Sequence, residues 1–280
     1  MSVVVSTAWL AERMQHYPDQ TVVVDTRFQL QDEDAGRKAY LEGHIPQAVY
    51  LDLNKDLSAK AAKHGGSHPL PDMEAFAAKI GHIGIDHDTT VVVYGQGNDM
   101  FAARLWWLLD YAGHGDVHLL NGGFDEWLKE GRPVTTAIPA LNAKTFEPVI
   151  RENAAVGIED VQLKLAHQSA ALIDSRARER YLGQTEPMYR RAGHIPGAKN
   201  FVWTDVLDDE GYWKNTDELA EHFASLNQDE EIIVSCGSGV SACPNVLALR
   251  SAGFTNVKLY PGSFSDWISY DANEVETKDE

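Results

Sequence analysis

The feature that most constrains the fold is that the chain repeats itself. Its first half carries TVVVDTR (21 to 27), GHIPQA (43 to 48), TVVVYGQGNDMFAARLWWLLDYAG (90 to 113) and DVHLLNGGFDEW (116 to 127). Its second half carries ALIDSR (171 to 176), GHIPGA (193 to 198), EIIVSCGSGVSACPNVLALRSAG (231 to 253) and NVKLYPGSFSDW (256 to 267). Four blocks recur in one order, and Asp25 lies 18 positions before Gly43 where Asp174 lies 19 before Gly193. Two copies of one architecture follow, so whatever the first half folds into, the second must fold into as well.

Each half holds short β-branched runs, such as Val91 to Val93 and Ile232 to Val234, bounded by turn residues. Runs of that kind read as strands buried on both faces of a parallel sheet. Between them lie amphipathic stretches of helical length, DMEAFAAKIG (72 to 81) and TDELAEHFASLN (216 to 227). The expected fold class is therefore α/β, with a central parallel sheet flanked by helices in each of two tandem domains. The spacing predicts a first domain over 1–135, a proline-marked linker over 136–156, a second domain over 157–272 and an acidic, frayed tail over 273–280.

Of 280 residues, 42 are acidic and 24 basic, a formal charge of -18 that disfavours nucleic acid and anionic membrane as partners. No apolar run reaches the roughly 18 residues of a membrane span, and the first residues do not read as a signal peptide, so the expected compartment is the cytoplasm. His64 and His68 stand at a His-x-x-x-His spacing, but the stretch HGGSH is too glycine-rich to be helical and reads as a loop. No metal and no cofactor are expected.

The two cysteines, Cys236 and Cys243, are too few for a disulfide framework and need separate explanations. Cys236 ends the apolar run 232 to 234 and enters GSGVS, at the carboxyl end of a strand where open α/β sheets bind ligands. Residues Gly237, Ser238, Gly239, Val240 and Ser241 allow a tight backbone that turns successive N–H groups toward the sulfur ahead of a helix. A helix dipole alone contributes only about 0.3 to 1 kcal/mol to a nearby anion. Ionising a typical thiol two or three units below its ordinary range takes about 3.4 kcal/mol. One or two loop N–H donors, at about 1.5 to 3 kcal/mol each to a charged group, close that gap. Cys236 is thus the expected nucleophile, and Cys243, in the first turn of the following helix beside Pro244, is expected to fill the core. The first repeat has Gly95 where the second has Cys236, which leaves one active site per chain, expected in the cleft between the repeats.

Taken together, the paired GHIP blocks, a cysteine loop in the second repeat alone, and the GGFDEW and GSFSDW endings resemble the tandem rhodanese-domain sulfurtransferases. That family includes the 3-mercaptopyruvate and thiosulfate sulfurtransferases, and the resemblance covers nearly the whole chain. It implies two rhodanese-like domains, the first non-catalytic, and a ping-pong reaction. In that reaction the Cys236 thiolate takes a sulfane sulfur from a small anionic donor and passes it, as a persulfide, to cyanide or a thiol, including a thiol-carrying protein. Thiosulfate-specific members carry basic residues just after the cysteine, whereas uncharged Gly237 and Ser238 resemble the mercaptopyruvate-type loop.

By the same resemblance, Arg180 and Arg190 match the arginines that hold a keto-acid carboxylate, with Arg191 as a neighbour or substitute. His68 matches a histidine that approaches the loop serine, and Asn54 stands where the family has an aspartate beside that histidine. Thiosulfate is the alternative donor, and a persulfide carrier without useful turnover is a further possibility. A cysteine-loop phosphatase is disfavoured, because Ala242 occupies the position that would need a phosphate-binding arginine.

Overall fold

The computed structural model describes residues 2–140 and 142–278, so the last two residues of the expected tail lie outside the described residues. The chain divides into two compact units. The first comprises Met1–Ala59, Leu70–Arg151 and Asp209–Trp213; the second comprises Lys60–Pro69, Glu152–Asp208 and Lys214–Glu280.

In the first unit the elements run β1 (Val4–Val5), α1 (Thr7–His16), β2 (Thr21–Asp25), α2 (Ala35–Glu42), β3 (Val49–Tyr50), α3 (Met73–His82), β4 (Thr90–Tyr94), α4 (Met100–Tyr111), β5 (Val117–Leu120) and α5 (Gly123–Lys129). Its sheet has the order β1-β5-β4-β2-β3, and every pairing is parallel. The central strand β4 is buried at all five positions, which is why its sequence shows no alternation. Helix α4 is buried from Phe101 to Leu109, and it is apolar there apart from Arg104, whose Nη2 donates to Leu57 O at 3.3 Å.

The second unit runs α6 (Ile158–His167), β6 (Ala171–Asp174), α7 (Arg178–Tyr181), β7 (Lys199–Asn200), α8 (Thr216–His222), β8 (Ile232–Ser235), α9 (Cys243–Ser251), β9 (Val257–Leu259) and α10 (Ser263–Trp267). The parallel order β7-β6-β8-β9 again places the strand before the loop in the middle. Helix α8 opens on Asn215, whose side chain caps the amides of Asp217 and Glu218 while Glu218 reaches back. It ends at His222, short of the Asn227 expected, where Phe223 and Leu226 turn into the core.

One clamp explains the repeated blocks. Arg27 binds the Asp25 carboxylate through Nε and Nη2 and donates from Nη2 to Gly43 O at 2.7 Å. Arg176 does the same with Asp174 and Gly193 O, also at 2.7 Å. The guanidinium carbon lies 4.1 Å from the Phe124 ring in one unit and 4.1 Å from the Phe264 ring in the other. A buried charge is tolerated when paired and hydrogen-bonded, and this clamp ties a strand end, the GHIP turn and the last helix in each unit.

The tail is more ordered than its composition suggests. Glu276 exchanges two backbone hydrogen bonds with His194, at 2.8 and 3.0 Å, and Trp267 Nε1 donates to Glu274 O at 2.7 Å. Buried backbone partners outweigh the cost of the local negative charge, so the chain is held through Glu276 rather than frayed from position 273. Among the described residues no helix is long and apolar enough to cross a membrane.

Candidate active site

Strand β8 delivers Cys236 to the point where the chain must turn sharply toward α9. Ser235 Oγ donates to Ile173 O at 2.8 Å and the Cys236 carbonyl accepts from Phe264 N at 3.0 Å, which fixes both sides of the turn. Cys236 is 1% exposed. Gly239 adopts φ 77°, and a Cβ there would lie 2.3 Å from Pro261 O, so only glycine fits. With that turn made, the Gly239 N–H donates to Cys236 Sγ at 3.1 Å. Such a donor favours a negatively charged sulfur.

Where the sequence leads to the expectation of successive loop N–H groups on the sulfur, the donor seen among the described residues is Gly239, and the next polar group comes from Ser263, whose hydroxyl donates to Tyr260 O at 2.8 Å. Ser263 Oγ accepts from the Cys236 amide at 3.0 Å and lies 3.9 Å from Cys236 Sγ. Ser263 is fully buried at φ 53°, a conformation that costs a non-glycine residue free energy. Its counterpart in the first unit is Gly123, at φ 57°. A serine where the first repeat uses glycine was the available signal.

The first unit builds the same turn without a thiol. A Cβ on Gly95 would lie 1.8 Å from the Asp99 carboxylate, which accepts from the amides of Gln96, Phe101 and Ala102. An internal carboxylate thus fills the place that the Cys236 side chain takes in the second unit. Burial, only partly offset by those amides, pushes the Asp99 carboxyl up to about 6.

Cys243 is fully buried, as a core residue, and its Sγ also donates to Gly239 O at 3.4 Å, so it braces the loop from behind. Ala242 caps α9 and presents no cation.

His68 lies on the segment Lys60–Pro69, which belongs to the same unit as Cys236. The segment is tied by Gly65 N to Asp266 at 2.7 Å, by Ser67 N to Ser265 Oγ at 3.0 Å, and by His64 Nδ1 to Ser269 Oγ at 2.7 Å. His64 also stacks on Tyr270, and its contacts differ from those of His68. His68 Nδ1 is 2.7 Å from Ser238 Oγ. Asn54 belongs to the first unit, where its amide donates to Asp52 at 2.9 Å.

The arginines separate. Arg180 donates from Nη2 to both oxygens of Glu186, at 2.8 and 3.0 Å, and lies over the Tyr189 ring at 5.4 Å. Glu186, with a side chain only 3% exposed, also receives Arg176 Nη1 at 3.3 Å. Burial works against the Arg176 charge, yet the negative charges of Asp174, Glu186 and Cys236 hold its pKa above the ordinary value. Arg190, 59% exposed, instead binds Ile268 O at 2.7 Å and Asp271 at 2.9 Å, and Arg191 binds Asn273 O at 2.8 Å. No described carboxylate is shared by Arg180 and Arg190. Glu186 and Tyr189 were missed because each acts through contacts that no periodicity announces.

Relatives share this architecture. The chain is 39% identical over 275 residues, covering 96% of both proteins, to a probable 3-mercaptopyruvate sulfurtransferase of Pseudomonas aeruginosa. It is 36% identical, covering 94% of this chain and 91% of the relative, to a thiosulfate sulfurtransferase of Bos taurus. The crystal structure of a 3-mercaptopyruvate sulfotransferase of Escherichia coli superposes with a TM-score of 0.83 at 34% identity, over 95% of this chain and all of that one. Rhodanese-like domain signatures match residues 6–130 and 158–270, and the chain therefore belongs to the rhodanese-like family, with two tandem copies of its domain.

Proposed function

We propose that this protein is a sulfurtransferase that moves a sulfane sulfur from 3-mercaptopyruvate to a thiophilic acceptor through a persulfide on Cys236. The observation that carries this reading is the adjacency of two devices on one loop: Gly239 N–H on Cys236 Sγ at 3.1 Å, and His68 Nδ1 on Ser238 Oγ at 2.7 Å. The first stabilises a sulfur anion, and the second can take and return a proton.

The chemistry balances without an external oxidant. The Cys236 thiolate attacks the donor thiol sulfur, an S–S bond forms, and the donor C–S bond breaks with its electron pair going to carbon. Pyruvate leaves once that carbon receives a proton, and the net source of that proton is the donor's own S–H. Ser238 and His68 are placed to carry it. In the second half-reaction cyanide or a thiolate attacks the outer sulfur, and the S–S bonding pair returns to Cys236.

Of the two candidate carboxylate ligands, Arg180 is linked to the cysteine loop through its ring partner Tyr189, whose hydroxyl stands 2.9 Å from where a Cβ on Gly237 would lie. A donor carboxylate competes there with Glu186. Arg190, Arg191 and His68 are assigned to the donor site on the strength of the family resemblance. The acceptor is cyanide, a small thiol or a protein thiol, and the formal charge of -18 favours none of the nucleic-acid or membrane alternatives. The cytoplasm is the proposed compartment, in keeping with a chain that has only two cysteines, too few for a disulfide framework.

Thiosulfate is the second donor reading, favoured by the similarity to the bovine relative. The test is turnover to cyanide from each donor, with Cys236→Ser as control. The expected result is faster transfer from 3-mercaptopyruvate, and a mass gain of one sulfur on wild type but not on the serine variant. Full turnover by Cys236→Ser would overturn the mechanism, and a strong preference for thiosulfate would overturn the donor.

A further inference from the structure

Each repeat ends on an acid directly before its closing tryptophan, Glu126 in FDEW (124 to 127) and Asp266 in FSDW (264 to 267), and the two acids do the same work. Glu126 accepts from the hydroxyl of Tyr212, on Asp209–Trp213, which folds with the first unit. Asp266 accepts from the Gly65 N–H at 2.7 Å, on Lys60–Pro69, which folds with the second unit. In each unit the acid therefore anchors a strap from the other repeat.

Asp266 is well placed for that task. It is 4% exposed, and its second oxygen accepts from the Tyr260 hydroxyl at 2.7 Å, which leaves the first to the strap. Hydrogen bonds to a carboxylate are about twice as strong as neutral ones, so both partners are firmly held. The strap fits down to its backbone. Gly66 adopts φ 86°, and a Cβ there would lie 2.5 Å from Gly262 O, a backbone atom directly before α10. Only glycine lets the strap approach so closely. The same helix holds the nucleophile loop, because Phe264 N and Ser265 N donate to Cys236 O and Gly237 O at 3.0 and 2.9 Å. The 2.7 Å contact of His68 with Ser238 is thus set by how strap and loop are both mounted on α10.

We propose that Asp266 is a positioning residue for sulfur transfer: by docking Gly65 and Gly66 against the start of α10, it mounts His68 in register with Ser238. The proposal rests on the sulfurtransferase reading above. Asp266 acts through the strap, so its loss falls on the step that uses His68. A thiol donor must move a proton from sulfur to carbon, whereas thiolate and thiosulfate give persulfide and sulfite with charge conserved and no proton moved. Unseating the strap therefore has unequal consequences for the two donors.

The test measures thiocyanate formation from cyanide with either donor, using the full chain, beside amide hydrogen exchange in the strap. Asp266→Ala is expected to speed exchange at Gly65 and Ser67 by about tenfold while Ile232 to Ser235 stay protected. It should lower kcat for 3-mercaptopyruvate about tenfold more than kcat for thiosulfate. Asp266→Asn, whose carbonyl oxygen can still accept from Gly65, should regain most of both. Gly66→Ala leaves α10 intact, should produce the same donor-selective loss, and decides the matter if Asp266→Ala does not fold. The proposal is overturned if strap exchange is unchanged, if both donors fall alike, or if Asp266→Asn is no better than Asp266→Ala. A wild type that transfers sulfur from neither donor would instead overturn the sulfurtransferase reading, and the exchange rates would still decide whether Asp266 docks the strap.

Discussion

Ser263 gives its hydroxyl oxygen to the amide of Cys236 at 3.0 Å while its own backbone sits at φ 53°. The strain and the contact have opposite signs in free energy, which makes them separable by substitution. Ser263→Gly is expected to leave thermal stability within about 1 kcal/mol of wild type, because the relief of strain offsets the lost hydrogen bond. Its kcat should fall about tenfold, since the Cys236 amide loses the acceptor that fixes the start of the loop. Ser263→Ala should lose both stability and activity. Thermal unfolding and steady-state kinetics on the two variants check this.

Among the described residues Glu186 is the one carboxylate shared by Arg176 and Arg180, with a nearly buried side chain. Glu186→Gln takes the carboxylate from Arg180 and leaves Arg176 with Asp174 alone, and a destabilisation of about 3 kcal/mol is expected. The same change frees Arg180 for an anionic donor. KM should fall several-fold, more for dianionic thiosulfate than for the keto acid. Stability and affinity should thus move in opposite directions, and an unchanged KM would show that Arg180 does not receive the donor.

Proton demand distinguishes the role of His68. His68→Gln is expected to lower kcat with 3-mercaptopyruvate by about a hundredfold while changing thiosulfate turnover much less. Single-turnover persulfide formation, measured with both donors across pH 6 to 9, is the deciding observation. Equal losses with both donors would mean that the 2.7 Å contact to Ser238 only shapes the loop.

Asp99 provides a pH signature of the first unit. Its folded carboxyl titrates at about 6, above an unfolded value of about 3.9, so protonation is favoured by folding. The associated stability is fully present below pH 4 and is lost as pH rises through 6, in total about 2 kcal/mol after discounting for partial exposure. Asp99→Asn cannot titrate, so its Tm minus that of wild type should rise steadily from pH 4 to pH 7. A flat difference would show that the carboxylate is solvated.

What could be read from the sequence was whatever repeats or alternates. The paired blocks announced two parallel sheets, and Cys236 stood out because a thiol at the end of a β-branched run, before glycines, has few other uses. Glu186 was invisible for the opposite reason: a carboxylate among surface-like charges has no pattern until Arg176 and Arg180 converge on it. Tyr189 read as one aromatic in a loop, and its approach to position 237 is a matter of 2.9 Å in space across 48 positions in sequence. Arg180 and Arg190 were recognisable as residues, yet their partners, Glu186 and Asp271, were not. The ordered tail was misjudged because composition records charge and not the backbone pairing of Glu276 with His194.

The segment Lys60–Pro69 is encoded in the first half of the chain and folded as part of the second unit, where Ser67 is tied to Ser265 and His68 meets the loop at Ser238. Inheritance and architecture therefore have different joints. A gene cut between the repeats would part Cys236 and Ser238 from His68, and a shuffled second half would need a donor of that segment. Once such a loan is in place, the ancestral halves can drift in sequence but can no longer be dealt out separately.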